Sequence, residues 1–371
     1  MTIAIVGGGL AGATAAAELR ERGYDGQVVL YAAERHVPYE RPPLSKGFLL
    51  GRDPFERAHV HDAAWYRDHD IDLRLDSPVT AIDPDGHRLR TSAGEAPFSR
   101  LLLATGASPR RLALADGSGV PVAYLRTVED SERLREAFTA RSRVVIVGGG
   151  WIGLEVAAAA REAGCQVTVY ELADLPLQGV LGPEVARVFA DLHRAHGVEL
   201  VLGAPVTAAA LKDADLVVVG IGAVPEVSLA ESAGLRTSDG VLTDTRLRTS
   251  HPDIYAAGDV ASHDHPLLGR LRVEHWDNAI WQAKTAARNL LGGEEAYDRQ
   301  PYFFTDQNDL GMEYVGHVGP GGYDRVVIEG DTASAFRAYW ERGGVVVAAM
   351  HVNDWDAGGE IRASIGTKRK D

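Results

Sequence analysis

Residues Thr2–Gly12 read TIAIVGGGLAG: a short apolar strand running straight into the spacing G-x-G-x-x-G at Gly7, Gly9 and Gly12. The flanking residues supply the context that this spacing needs. A helical stretch follows at Ala13–Arg22, then a second strand at Gln27–Tyr31 with an acid shortly after it, Glu34. In a dinucleotide-binding βαβ unit each glycine has a physical task. Gly7 allows the tight turn, Gly9 lets the backbone approach a pyrophosphate, and Gly12 lets the helix pack on the strand. The helix N-terminus then offers amides and partial positive charge to the anion.

The pattern returns. Arg143–Val147 is a strand, GGGWIG follows with Gly148, Gly150, Ile152 and Gly153, Leu154–Ala163 is helical, and the strand Gln166–Tyr170 ends at Glu171. One glycine loop is weak evidence, since a coincidental turn can produce it. Two, each framed by strands and followed by an acid, are strong. The halves also close alike, with LLLATG at 101–106, ending in Thr105 and Gly106, and LVVVGIG at 216–222, ending in Gly222. The fold class is α/β with two Rossmann-like halves, and the chain is expected to hold two dinucleotides.

The acid after the second strand selects between nucleotides. Glu171 can accept from ribose hydroxyls but repels a 2′-phosphate, and Leu172-Ala173-Asp174 offers no arginine to bind one. The second half therefore reads as an NAD(H) site. The first half has a partner far downstream, where IYAAGD at 254–259 runs a buried strand into Gly258-Asp259. Behind two dinucleotide folds, that short carboxylate beside a glycine is the expected grip on the ribityl chain of a flavin. FAD in the first half and NADH in the second make a hydride relay.

Composition narrows the partners. The 371 residues carry a formal net charge of -14, which argues against nucleic acid and against an anionic membrane surface. Cys165 is the only cysteine, so neither an internal disulfide nor a CxxC redox pair is possible. It reads as a small buried filler. Because no cysteine occurs between Met1 and Ala163, hydride reaching the first nucleotide cannot leave through a protein disulfide. The opening MTIAIVGGG has no signal-peptide pattern, no apolar run is long enough to span a membrane, and a cytoplasmic location is expected. His59-Val60-His61 and His263-Asp264-His265 read as solvated loops, and no metal site is expected.

YERPPLSKGF at 39–48 follows the first unit closely. The two prolines stiffen it and bias Arg41 toward an extended backbone. It reads as a loop that the prolines end, so that Leu44-Ser45-Lys46 begin a helix. Glu155 falls in the first turn of the second nucleotide helix, where a carboxylate suits the dipole. Trp151 beside it reads either as stacking over a flavin or as ordinary packing.

With IVGGGLAG, YERPPLSK, LLLATGASPR, YLRTVED, VIVGGGWIGLE, IYAAGDVA, VEHWDNAIWQA and PYFFTDQNDLGMEYVG, the chain resembles the FAD-dependent NADH:ferredoxin reductases that serve Rieske oxygenases and cytochromes P450. The resemblance implies a glutathione-reductase-like fold and a set of roles. Ala11 and its loop contact the FAD pyrophosphate, with Thr105, Gly106, Gly258 and Glu274 also at the cofactors. Arg41 and Lys46 lie along the flavin, Lys46 near its reactive edge and paired with Glu155. Val79 touches the adenosine, Arg126 reaches FAD, Asp259 holds the ribityl chain and Trp276 flanks the isoalloxazine. Gly150, Glu155 and Glu171 belong to the NADH site. In three places the sequence departs from the family pattern. Ala33 stands where an acid is usual, leaving Glu34 as the substitute at the ribose. Asn308 stands where an aromatic is common. The C-terminal domain ends early, in GEIRASIGTKRKD.

The expected organisation is an FAD domain at 1–111 and 239–294, an NADH domain at 112–238, and a shortened C-terminal α+β domain at 295–371. In the last of these, the runs Arg325–Glu329, Ala333–Tyr339 and Val345–His351 look like an antiparallel sheet. Three functions stand open. The first is an NADH-dependent reductase, monomer or homodimer, passing electrons singly to a [2Fe-2S] ferredoxin. The second is an NADH oxidase or a quinone or small-molecule reductase. The third is an NADH-sensing flavoprotein like apoptosis-inducing factor.

Overall fold

The computed structural model describes residues 1–369. By internal contacts the chain divides into two compact units, Met1–Glu40 with Phe55–Ser108 and Val224–Pro301, and Arg41–Pro54 with Pro109–Ala223 and Tyr302–Asp371.

The first unit is built on a five-stranded parallel sheet in the order Ile254–Ala256, Arg100–Leu103, Thr2–Val6, Gln27–Tyr31, Ile71–Arg74. On one face the helices Leu10–Glu21 and Trp276–Leu290 lie against each other. Their contact is lined by Ala13, Ala16, Ala283, Ala286 and Ala287, whose small side chains permit close approach. The other face buries Val29, Leu101, Leu103, Val241 and Ile254. Above it, the strand Ala261–His265 is paired on both sides, by Gly240–Thr243 and by Gly269–Arg272. This corrects the reading of His263 and His265 as solvated. They are 1% and 2% exposed, and only the intervening Asp264 faces water. Polar residues in a strand flanked on both edges carry no apolar alternation, so sequence reading takes them for a loop.

The second unit repeats the plan in the order Glu199–Leu202, Gln166–Glu171, Arg143–Val147, Leu216–Val219, Val122–Ala123, all parallel. It also holds a five-stranded antiparallel sheet, ordered Tyr302–Gln307, Leu310–Gly316, Val345–Val352, Ala335–Arg342, Arg325–Asp331. The three expected C-terminal runs are its last three strands. Asn308 takes the left-handed region, φ 55°, in the two-residue turn between Gln307 and Leu310, a conformation that Asn tolerates far better than an aromatic residue. The helix Gln178–Ala195 covers this sheet, burying Leu181, Val185 and Phe189 against Trp340 and Met350. It kinks at Gly182-Pro183, where the Trp340 indole donates to the Leu181 carbonyl at 3.0 Å. Among the described residues no helix is long and apolar enough to cross a membrane.

Candidate functional site

The first glycine loop forms as its spacing requires. Gly7 has φ +127°, and a Cβ there would lie 2.0 Å from the Ala104 carbonyl oxygen. Gly12 lies inside the helix, which starts at Leu10 rather than Ala13, and a Cβ on Gly12 would meet the Gly7 carbonyl oxygen at 2.0 Å. Around Gly9, by contrast, a Cβ would meet nothing within 4 Å. The loop is closed where the protein packs on itself and open where an anion would sit. Gly9 is also the helix N-cap and offers no side chain to occupy the first-turn amides. The same unit brings Gly258 to this loop, for a Cβ at Gly258 would lie 3.1 Å from that of Ala11. The Gly258 amide donates to Gln282 Oε1 at 2.9 Å, and Asp259 stands next in the turn, half-buried. An open cradle at a helix N-terminus, with the Gly258-Asp259 turn packed against it, fits the pyrophosphate of a dinucleotide.

The second loop repeats this geometry. Gly148 has φ +107°, Gly153 packs against the Gly148 carbonyl, and Gly150 faces open space save for the Gly220 carbonyl oxygen 3.9 Å away. Glu171 ends its strand directly over the loop, accepting from the Gly149 amide at 2.6 Å and the Ala173 amide at 2.9 Å. Its carboxylate is thus fixed over the loop by two backbone amides. Ile152 is exposed at the helix start and Gly222 has φ +96° at the loop after its strand. Trp151 packs on Phe303 and Phe189, ring centroids 4.8 and 5.8 Å apart.

The YERPPLSKGF segment differs from its reading in detail. Pro42 and Pro43 open a 3-10 helix, Pro42–Ser45, and Lys46 caps its end. Proline fits the first positions of a helix because its missing N–H has no acceptor there. Arg41 is helical, φ -82° and ψ -33°, not extended. Two contacts account for this: its carbonyl accepts from the Leu44 amide at 3.0 Å, and its guanidinium donates to the Arg126 carbonyl at 2.9 Å. Arg41 and Arg126 are therefore neighbours.

Lys46 meets Glu155. Nζ donates to Oε1 at 2.6 Å, with the lysine 19% and the glutamate 5% exposed. Glu155 is in the second turn of a helix that begins at Trp151, so the dipole account of its position does not hold. What holds its charge is local: Ser45 donates to Oε2 at 2.5 Å and Thr305 to Oε1 at 2.6 Å. A buried carboxylate survives only with such donors. The Lys46 ammonium also lies 5.7 Å from the centroid of the Phe304 ring. Asp306 is held above the ordinary carboxylate range, by desolvation first and then by the Glu155 charge, while Lys46 pulls it down. Sequence reasoning did not single out Ser45 or Thr305. The one available signal was the alternation in YFFTDQ, which puts residues 303, 305 and 307 on one face.

The remaining expected residues fall as follows. Glu34 lies past its strand, its Oε2 accepting from the Tyr39 hydroxyl at 2.5 Å. Val79 is buried at the start of the strand Val79–Asp83. The Thr105 hydroxyl donates to the Glu226 carbonyl at 2.8 Å, and the Gly106 carbonyl accepts from the Glu226 amide at 2.9 Å. Trp276 begins the helix Trp276–Leu290, and Glu274 just before it is paired with Arg272. Cys165 is fully buried.

Two open nucleotide cradles, an acid over the second and an anchored Lys–Glu pair define an oxidoreductase of the two-dinucleotide class. The chain belongs to the pyridine nucleotide-disulphide oxidoreductase family, whose model matches residues 1–283, and residues 302–370 match a reductase C-terminal domain. It is 42% identical over 368 residues, 94% of this chain and 90% of the other, to the ferredoxin–NAD(+) reductase component of the anthranilate 1,2-dioxygenase system of Burkholderia cepacia. It is 36% identical over 374 residues, 95% of this chain and 88% of the other, to putidaredoxin reductase of Pseudomonas putida. Among solved structures, the covalent putidaredoxin reductase–putidaredoxin complex matches with a TM-score of 0.92 at 34% identity, covering 99% of this chain and 94% of that one.

Proposed function

We infer that this chain is an NADH-dependent ferredoxin reductase that takes hydride from NADH onto FAD and passes the electrons singly to a [2Fe-2S] ferredoxin serving an oxygenase or P450. The observation that carries the direction of flow is the lone, buried Cys165 in a chain with two nucleotide cradles. With no cysteine pair to receive them, electrons leave to an outside acceptor. The kinship with ferredoxin–NAD(+) reductase components of oxygenase systems supplies the class of that acceptor.

The proposed division of labour follows the geometry of each unit. Gly7, Gly9, Ala11 and Gly12 hold the FAD pyrophosphate, Asp259 the ribityl chain, and Glu34, in place of the usual acid at position 33, the adenosine ribose. Gly148, Gly150, Ile152, Gly153 and Glu171 hold NADH. Bound FAD supplies the chemistry of accepting a hydride and releasing electrons one at a time. Lys46, fixed by Glu155, supplies positive charge where negative charge accumulates during hydride transfer. The FAD domain is assigned to 1–111 with 239–294, the NADH domain to 112–238 and the C-terminal domain to 295–371.

The test is steady-state NADH oxidation with cytochrome c as final acceptor, with and without a panel of ferredoxins. Stimulation by a ferredoxin supports the assignment. Equal rates with and without every ferredoxin, or rapid turnover with oxygen or quinone alone, sinks it.

A further inference from the structure

Beyond Lys46 and Glu155 the hydrogen bonding continues into the protein. Thr305 Oγ1, the donor to Glu155, itself lies 3.2 Å from Gln307 Nε2, and Gln307 Oε1 lies 2.8 Å from His193 Nε2. Thr305, Gln307 and His193 are 1%, 1% and 0% exposed. The far nitrogen of the imidazole, His193 Nδ1, is buried without a partner. This polar thread runs from the helix Gln178–Ala195 through the strand Tyr302–Gln307 to the second nucleotide helix.

The direction of every proton in the thread follows from one end. Glu155 Oε1 accepts from the Lys46 ammonium, so the Glu155 carboxylate is ionised and only accepts. At 2.6 Å from it, Thr305 must place its single hydroxyl proton on that oxygen. Thr305 can then only accept from Gln307, which fixes the Gln307 amide with its NH2 toward Thr305 and its oxygen toward His193. A carbonyl oxygen facing Nε2 requires Nε2 to carry the proton. His193 is therefore neutral with a bare Nδ1, the one atom that is found unpartnered. An imidazolium would bury an unsatisfied N–H there. Burial likewise pushes His193 below its ordinary range, with the Gln307 bond opposing and nearby His196 assisting.

We propose that His193, Gln307 and Thr305 form a one-way donor relay that positions the Glu155 carboxylate, and through it the Lys46 ammonium, for hydride transfer. They are positioning residues, since none is argued to touch a reactant. The charged group in contact with Glu155 is Lys46 from the end of the 3-10 helix; Asp306, next to Thr305 but on the other face of its strand, interacts with Lys46 and Glu155 only through space, and neutral His193 stands at the far end. By this relay the antiparallel sheet takes part in the chemistry of the nucleotide helix. The inference rests on the reductase reading above.

Two measurements on the full-length holoenzyme test it. In the first, 15N-histidine NMR, with the His193 resonances identified by their loss in His193→Asn, reads the tautomer directly. A protonated Nε2 with a bare Nδ1 is expected. A Nδ1–H tautomer or an imidazolium at neutral pH overturns the relay. In the second, stopped-flow flavin reduction compares Thr305→Val, which keeps shape and loses the hydroxyl, with Thr305→Ser, which keeps the hydroxyl. Thr305→Val should slow the limiting rate by about tenfold while changing NADH affinity less than about twofold, and Thr305→Ser should stay within about threefold of the parent. Val as fast as the parent, or Ser as slow as Val, refutes the proposal. Should Thr305→Val not retain flavin, Gln307→Met is judged on the same rate and affinity criteria. Failure of the parent itself to show flavin reduction by NADH removes the functional reading instead, while the histidine tautomer still decides the relay.

Discussion

Lys46 and Glu155, 109 residues apart in the chain, are joined by a 2.6 Å ion pair that Ser45 and Thr305 complete. The four side chains come from three separate segments of one compact unit, and the carboxylate at their centre is 5% exposed. The protein's own side chains hold the charge in place, and preorganisation of that kind is the condition under which a fixed charge can lower a barrier.

Lys46→Met should therefore slow flavin reduction by NADH by at least about tenfold while weakening NADH binding far less, because the charge is wanted most after hydride arrives. Removing one partner of so buried a pair should also lower unfolding stability, by about 3 kcal/mol. Stopped-flow spectroscopy and denaturant titration check the two effects. An unchanged reduction rate makes Lys46 an ordinary loop lysine.

Glu171, held over the second loop by the Gly149 and Ala173 amides, predicts preference for NADH over NADPH. Glu171→Gln should narrow the ratio of kcat/KM values by about tenfold, since the repulsion of a 2′-phosphate is gone. Equal kcat/KM for both nucleotides in the parent protein contradicts this reading.

Asp259→Ala should weaken FAD retention. Loss of a charged acceptor from a polyol hydroxyl costs about 1.5–3 kcal/mol, at least about tenfold in Kd. Dialysis against an excess of a competing FAD-binding apoprotein, or fluorescence of released flavin, measures it, and an unaltered Kd places the ribityl chain elsewhere.

Cys165→Ser should leave NADH-to-ferredoxin electron transfer intact, whereas Trp276→Ala should lower it. Cys165 is fully buried, its thiol donates to the Thr139 carbonyl at 3.4 Å, and burial pushes its pKa up, so it is poorly suited to redox work. Loss of transfer in the cysteine variant with FAD still bound refutes the direct route to the acceptor.

His263 should make stability depend on pH. Burial first, then His265 and Arg270, lower its pKa from 6.5 to about 4. Its charged form is the costly one when folded, so the unfolded chain binds the proton more readily. Stability contributed by neutral His263 is complete above about pH 6.5 and is lost as pH falls toward 4, a span worth about 3 kcal/mol. Thermal melts across that range should show a falling Tm, and His263→Leu should flatten that fall. A parallel decline in the variant assigns the acid sensitivity to other groups.

Both nucleotide units were legible from local spacing, since a tight turn, an anion cradle and a helix packed on a strand each need glycine at a fixed offset. The helix starts were not. Gly12 and Gly153 suggest breaks, yet both lie inside helices beginning at Leu10 and Trp151, because the missing Cβ is needed there for close approach to the loop carbonyls. The buried strand holding His263 and His265 was also illegible, for pairing on both edges hides polar residues that alternation alone assigns to solvent.

Local spacing and composition carried the two dinucleotide folds, the acid Glu171 at the end of the second unit's strand, the turn at Gly258-Asp259 and the absence of a cysteine pair, since each of these depends on residues close together in the chain or on composition. Tertiary structure alone decided what surrounds Glu155. Thr305 lies 150 residues from it and Ser45 lies 110, and neither carries a local pattern that marks a carboxylate partner. A buried charge takes its donors from whatever segments the fold brings within 3 Å, and that proximity is written in the packing of helix on sheet, not in spacing along the chain.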